Sequence, residues 1–242
     1  MSVTAPPIEH TDLGALADAA ARRFGDRVFW QSIDDGGTVT FEAFARRTRA
    51  LAAALHALGV ARGTHVALML PNVEAFAITW FALARLGAVV LPVNLQYTPR
   101  ELAYVLDDGD AEWLVIDAGS LPVLAGVEGP VHVPPGRTIV HGAPQDGHPL
   151  DWHHLERDAP PATNLPPVGA DALMSIQYTS GSTGFPKGCL LTQDYWLVLG
   201  AVRAIQGPAP RRILLDKPLS YMGGIWRLLV APVPLPMPVL PS

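Results

Sequence analysis

Residues Tyr178-Thr179-Ser180-Gly181-Ser182-Thr183-Gly184-Phe185-Pro186-Lys187-Gly188 decide how this chain is read. Eleven positions hold three glycines, four Ser/Thr hydroxyls, one proline and one lysine. A packed core element does not have that composition. Glycine lets the backbone turn sharply and approach a ligand closely. Hydroxyls and free backbone N–H groups donate hydrogen bonds, and Lys187 adds a mobile positive charge, so the stretch suits phosphate oxygens. The preceding Ala172-Leu-Met-Ser-Ile-Gln177 reads as a buried strand. In an α/β sheet, a loop leaving a strand end is where ligands bind.

Other readings of the stretch fail on single positions. A Walker-type loop ends Gly-Lys-Ser/Thr, but here Pro186 precedes the lysine and Gly188 follows it. A hydrolase elbow needs Gly-x-Ser-x-Gly, and the position two before Ser182 is Ser180. A flexible Gly/Ser linker would explain the composition. It explains neither the Pro-Lys-Gly ending nor the strand before and the apolar segment after.

Outward from the loop, helices and strands alternate. Phe44, Thr48, Leu51, Leu55 and Leu58 form a helical stripe, with Arg46, Arg47 and Arg49 off it. His65 to Leu70 reads as a strand stopped by Pro71. The next helix runs from Asn72, as N-cap, to Gly87, as C-cap. Ala88 to Val93 is a strand. Thr98-Pro-Arg-Glu101 is a capping box with proline at the first helical position, and its helix ends near Asp107–Gly109. Glu112 to Asp117 is another strand. Strands separated by helices imply right-handed crossovers and a parallel sheet. Their continuous apolar runs imply cover on both faces. After the loop, Thr192 or Asp194 caps a helix reaching Gln206.

Residues 119–169 are dense in proline and glycine with weak periodicity, and read as a long surface excursion. His153, His154 and Glu156 fall there. Adjacent loop histidines have no fixed ligand geometry, so they read as solvated surface and no metal site is assigned.

The chain has 242 residues, 49% hydrophobic and 16% charged, with net charge −5. That is enough to bury a sizeable core, and no basic patch suggests nucleic acid. Residues 1–10 lack the charged and apolar regions of a secretion signal. The longest apolar stretch, Ala75 to Ala84, is too short to span a bilayer. Cys189 is the sole cysteine, which excludes an internal disulfide, reads as a small buried hydrophobe and fits a reducing cytoplasm.

The loop resembles the signature of the AMP-forming adenylating enzymes, which include acyl-CoA synthetases, peptide-synthetase adenylation domains and luciferases. Their Tyr/Phe-Thr-Ser-Gly-Ser/Thr-Thr-Gly-x-Pro-Lys-Gly pattern matches at every position. Phe41-Glu-Ala-Phe-Ala45, Leu51 to Leu55, and Gly59-Val60 with Gly63 look like the family's opening helix and turn. Leu83-Ala-Arg-Leu-Gly-Ala-Val-Val-Leu-Pro-Val-Asn94 resembles its second core motif, and Glu101 to Leu106 also fits. The resemblance covers residues 11–228.

It implies an α/β fold: the N-terminal portion of the adenylate-forming enzyme fold, a parallel sheet flanked by helices, truncated. It implies phosphate binding by Thr179, Ser180, Gly181, Ser182, Thr183, Gly184 and Lys187. It places Lys217 to Gly224 along the acyl site, with Tyr221 and Gly223 as substrate contacts or Tyr221 as plain core. Relatives carry an aromatic-then-histidine pair where this chain has Ser220 and Tyr221, and often a histidine at Gln193. Residues 229–242 alternate proline with apolar residues and read as a non-family tail, from truncation, a frame change or a genuine Pro-rich extension. The family's acidic adenine segment, ribose aspartate and distal lysine on a C-terminal lid have no counterpart, so no catalytic residue is assigned.

The implied activity is that of an AMP-forming carboxylic acid:CoA ligase of the kind used in fatty acid metabolism, as an N-terminal fragment inactive alone. Its substrates are a carboxylic acid, ATP with Mg2+, and CoA, and its partner is a complementing C-terminal fragment. The CoA-ligase branch is preferred because Pro92 to Glu101 looks more like those enzymes. A peptide-synthetase-like adenylation fragment is one alternative, and a non-catalytic nucleotide-binding or scaffold protein is another.

Overall fold

The computed structural model describes residues 10–129, 133–142, 150–160, 165, 167–179, 186–205, 212–230 and 239–241. Helix α1 (Leu13–Phe24) is followed by strands β1 (Val28–Gln31) and β2 (Thr38–Thr40), then α2 (Phe41–Ala57). Next come β3 (His65–Met69), α3 (Glu74–Leu86), β4 (Val89–Pro92), α4 (Pro99–Asp108), β5 (Trp113–Asp117) and α5 (Leu121–Ala125). The remainder contains β6 (Thr138–His141), β7 (Leu150–Asp151), α6 (Trp152–Arg157), β8 (Leu173–Thr179), β9 (Lys187–Thr192) and α7 (Gln193–Ile205). Strand β10 (Ile213–Leu215), α8 (Met222–Val230) and β11 (Val239–Pro241) complete the order.

Among the described residues, seven strands form the main sheet in the order β7-β6-β5-β3-β4-β8-β9. All its neighbours are parallel except the antiparallel hairpin β8–β9. Both faces are covered, as the apolar runs require. Along β3 the pleat sends Val66 and Leu68 to one core and Ala67 and Met69 to the other. The first core packs α1, α2 and α3, with Phe44, Leu51, Trp80 and Phe81 inside it. The second packs α4 and α5 through Leu102, Val105, Leu106 and Leu124. Helix α3 is buried nearly all round, because it lies between the sheet and the α1–α2 layer.

Local signals act as their chemistry dictates. Thr98 accepts from the Glu101 N–H while the Glu101 carboxylate accepts from the Thr98 N–H, closing the capping box. Gly87 caps α3 with φ 66°. Thr192 Oγ1 accepts the Tyr195 N–H and caps α7.

Several expectations are corrected. Asn72 does not cap α3. Val73 holds that position without a side-chain bond, and Asn72 is drawn to a different segment. Residues 119–169 are not only surface. They contribute β6, β7, α5 and α6, and bury Ile139, Val140 and Trp152. Each piece is too short to show a period. Glu156 is not solvated: Arg47, expected on the polar side of α2, grips it through two nitrogens and binds Glu74 at 2.7 Å. Cys189 is exposed on β9 rather than buried. The hairpin β8–β9 breaks the all-parallel pattern, since the seven residues between Thr179 and Lys187 are too few for the crossover a parallel pair needs. Within the Pro-rich stretch, α8 reaches Val230 and Val239–Pro241 forms β11. That strand lies between β1 and β10 in a second sheet of order β10-β11-β1-β2.

Candidate functional site

The connection β3–α3–β4 moves to one side of β3, and β4–α4–β5 returns to the other side. Such a reversal opens a crevice at the carboxyl ends of the strands, the usual ligand position in α/β sheets. Three chain segments leave those ends side by side: Asn72 after β3, Asn94 after β4, and Thr179 at the end of β8.

The two asparagines hold the segment 215–221 in place. Asn72 Nδ2 donates to the carbonyls of Leu215 and Lys217, at 3.4 and 3.0 Å, and its Oδ1 accepts the Leu219 N–H at 2.9 Å. Asn94 Nδ2 donates to the Tyr221 hydroxyl at 3.0 Å. Segment 217–221 closes on itself through the Tyr221 N–H and the Pro218 carbonyl, 3.1 Å apart, and then starts α8. Tyr221 is 44% exposed, which removes the plain-core reading. Gly223 sits in the first turn of α8, with open space where a Cβ would point.

The glycine-rich segment joins the ends of the β8–β9 hairpin. Thr179 pairs with Lys187 and Tyr178 with Gly188. Thr179 Oγ1 donates to the Lys187 carbonyl at 3.4 Å, and both side chains are exposed. Ser180, Gly181, Ser182, Thr183 and Gly184 lie outside the described residues. Of the sequence-assigned phosphate residues, Thr179 and Lys187 are therefore brought together, at the carboxyl end of β8. Tyr221 stands apart from them, at the end of neighbouring β4.

A tyrosine lies by each place, Tyr178 beside the hairpin end and Tyr97 within the electrostatic reach of Tyr221. The Tyr178 hydroxyl donates to Asp108 Oδ2 at 2.8 Å. Burial, then the bond to Asp108 and that carboxylate's charge, push the Tyr178 phenol above its usual range. Tyr97 is also pushed up, by burial first and then by Tyr221 and Glu101. Both remain neutral donors near neutral pH. Asn72, Asn94, Tyr97, Tyr104 and Asp108 were not read as site residues. The signal was present in part: an asparagine follows each of two adjacent strands by a few residues.

A separate cavity of about 300 Å³ lies between the sheets, lined by Trp30, Asp34, Asp35, Glu74, His141 and His153 among others. Among the described residues no group of three or more His, Cys, Asp or Glu is placed to hold a metal. No described helix is long and apolar enough to cross a membrane.

A family model described as AMP-binding enzyme matches residues 17–231. The chain is 33% identical to a sulfoacetate–CoA ligase of Cupriavidus necator over 242 aligned positions, covering 96% of this chain and 45% of that protein. It is 34% identical to a long-chain-fatty-acid–CoA ligase of Mycobacterium tuberculosis, FadD13, over 146 positions, covering 58% of this chain and 27% of that protein. The crystal structure of the inhibitor-bound N-terminal domain of FACL13 from Mycobacterium tuberculosis superposes with a TM-score of 0.83 at 24% identity, over 96% of this chain and 57% of that one. This last likeness concerns the fold alone. The chain spans less than half the length of these curated relatives.

Proposed function

Because the chain belongs to the AMP-binding enzyme family, we propose that it forms the N-terminal part of an AMP-forming carboxylic acid:CoA ligase. The observation that carries this reading is the position of the signature segment. It joins β8 to β9 at the carboxyl end of the parallel sheet, one strand from the docked segment 217–221.

In this reading a carboxylate attacks the α-phosphate of ATP, the bond to the β-phosphate breaks, and pyrophosphate leaves. CoA thiol then attacks the acyl carbonyl and expels AMP. Two anions meet in the first step, so cationic and N–H donors must offset the charge that develops. Thr179 and Lys187, together with Ser180, Gly181, Ser182, Thr183 and Gly184, take the departing phosphates. The exposed Thr179 hydroxyl and Lys187 ammonium fit a polyphosphate. Tyr221 and Gly223 border the acid. In this reading Mg2+ enters as the counter-ion of ATP. The chemistry of ATP and CoA suits a cytoplasmic site.

Residues 11–228 are assigned to the family's AMP-binding unit and 229–242 to a segment outside it. Residues 1–242 hold no counterpart of the family's adenine, ribose and distal-lysine positions. The chain alone therefore supplies a phosphate site without the full catalytic set, and a C-terminal portion of the same family complements it.

Mg-ATP binding to the purified chain, by calorimetry, with acid-dependent pyrophosphate exchange, tests this. Binding with negligible exchange is expected. Failure to bind Mg-ATP sinks the phosphate assignment, and robust exchange by the chain alone sinks the division of labour. CoA dependence in a complemented enzyme separates a CoA ligase from a peptide-synthetase-like domain.

A further inference from the structure

Two residues that flank the glycine-rich segment reach one carboxylate, Tyr178 directly and Pro186 through the Tyr104 hydroxyl. Asp108 is the last residue of α4 and is exposed. Its Oδ2 accepts the Tyr178 hydroxyl at 2.8 Å, at the entrance to the segment. Its Oδ1 lies 3.2 Å from the Tyr104 hydroxyl. That hydroxyl also lies 3.2 Å from the Pro186 carbonyl, at the exit, and its single proton is shared between the two acceptors. Tyr104 and Asp108 sit one turn apart on α4 and so face the same way.

Two glycines make room for this arrangement. A Cβ on Gly109 would lie 2.1 Å from Leu91 Cδ2 and 3.1 Å from the Tyr178 hydroxyl. A Cβ on Gly188 would lie 2.7 Å from Ile176 Cγ2 and 3.4 Å from the Tyr178 ring. Any side chain at either position would push Tyr178 or its neighbours away. Gly109 and Gly188 therefore allow the Tyr178 ring to lie over β9 while its hydroxyl meets α4.

We propose that Asp108 is a positioning residue for phosphate binding: with Tyr104 it clamps the entrance and exit of segment 178–188 onto the end of α4 and sets their spacing. Helix α4 is anchored in the second core through Leu102, Val105 and Leu106. The clamp thus ties the hairpin mouth to rigid structure, and a site held this way loses less freedom when it binds. A carboxylate beside a phosphate site would repel its ligand, but here both oxygens are engaged by phenols. The inference rests on the reading of segment 178–188 as phosphate-binding.

The test compares wild type, Asp108→Ala, Asp108→Asn and Tyr104→Phe in the full 242-residue chain. Amide hydrogen exchange is followed at residues 177–179 and 187–189, with Mg-ATP affinity and thermal melting alongside. Loss of charge-assisted bonds should let Asp108→Ala speed exchange there about tenfold or more and weaken Mg-ATP by about tenfold. Asp108→Asn keeps one acceptor oxygen and should fall between, as should Tyr104→Phe. The melting temperature and exchange in β3 and β5 should stay at wild-type values. A general structural role would lower the melting temperature and speed exchange in β3 and β5, and that result overturns the proposal. Wild-type exchange at the hairpin mouth in Asp108→Ala, in a chain that binds Mg-ATP, overturns the clamp and leaves the phosphate reading standing. No Mg-ATP binding by wild type, with a loosened mouth in Asp108→Ala, sinks the phosphate reading and leaves the clamp standing.

Discussion

The backbone N–H of Leu13 donates to the side-chain oxygen of Gln193, 3.0 Å away and 180 residues later. Leu13 opens α1, where helical N–H groups lack partners within the helix. Gln193 opens α7, is fully buried, and donates its own amide to the Ala84 carbonyl at the end of α3. One amide therefore joins three helix ends. Gln193→Ala leaves the Leu13 N–H and the Ala84 carbonyl without it in a dry interior. The expected loss is about 1–3 kcal/mol for the orphaned Leu13 N–H, since the Ala84 carbonyl still accepts the Gly87 N–H. Denaturant unfolding checks it, and a loss within experimental error would show that water reaches the Leu13 N–H.

Lys187→Ala should leave folding unchanged, because the side chain is exposed and buries little apolar surface. It should weaken Mg-ATP binding about tenfold to a hundredfold, the effect of losing one charged hydrogen bond. Calorimetry with parallel melting curves measures both. Unchanged affinity would remove this lysine from the phosphate site.

Trp152 lies in the stretch whose sequence reads as a surface excursion, yet it is 1% exposed. Its indole N–H donates to Thr79 Oγ1 at 2.8 Å. Trp152→Ala should cost about 3–5 kcal/mol, as for other buried aromatic truncations. Trp152→Phe keeps most of the packing, orphans the threonine and should cost about 1–3 kcal/mol. A negligible loss in both would return residues 150–157 to the surface.

Stability should fall as the solution is acidified below about pH 6.5. Burial lowers the His141 pKa below 6.5, reinforced by His153 and opposed by the bond and charge of Asp117 and the charge of Glu74. The folded state then binds its proton later than the unfolded one. Above 6.5 both states are neutral and the contribution is constant. Below it the unfolded chain protonates first and stability drops, levelling once the folded histidine also protonates. One proton gives a slope of at most about 1.4 kcal/mol per pH unit. His141→Gln should flatten this part of the profile. Asp18, Asp35 and Asp158 have pKa values lowered from 3.8, and Glu101 from 4.5, so they act at lower pH and do not blur the window.

Strand β9 has no outer neighbour among the described residues, and Leu190 on it is 66% exposed. Tyr195 and Val198 on α7 are exposed nearby in sequence. Open edges with apolar side chains pair with other chains. Light scattering should show concentration-dependent association of the isolated chain, reduced by Leu190→Lys, since an edge lysine opposes pairing. A monodisperse monomer at high concentration would refute this.

The sequence was most legible where one residue type has one physical use. The Thr98–Glu101 box, Gly87 as a cap, and the stripe of Phe44, Leu51 and Leu55 are local, and the structure reproduces them. The glycine-rich segment stood out in the sequence for the same reason, and its described ends, Thr179 and Lys187, pair across the β8–β9 hairpin. Long-range pairings were not legible. Asn72 has the composition of an N-cap, but carbonyls more than 140 residues away compete for it. Arg47 and Glu156 each look like surface charge until α2 and α6 bring them together. Strands of two to four residues, such as β6 and β7, are too short to carry a period and depend on the neighbouring ladder.

The two asparagines that dock segment 215–221 also make the site visible by spectroscopy. Asparagine occurs three times in the sequence, at 72, 94 and 164. Selective isotope labelling of asparagine would therefore give only three pairs of side-chain amide resonances. Two of these belong to the ends of β3 and β4, in bonds to Leu215, Lys217 and Tyr221. A carboxylic acid that moves Tyr221 would shift the Asn94 pair and spare Asn72. A ligand that shifts the whole segment would move both. A panel of acids could thus be ranked by resonance position, with no turnover required.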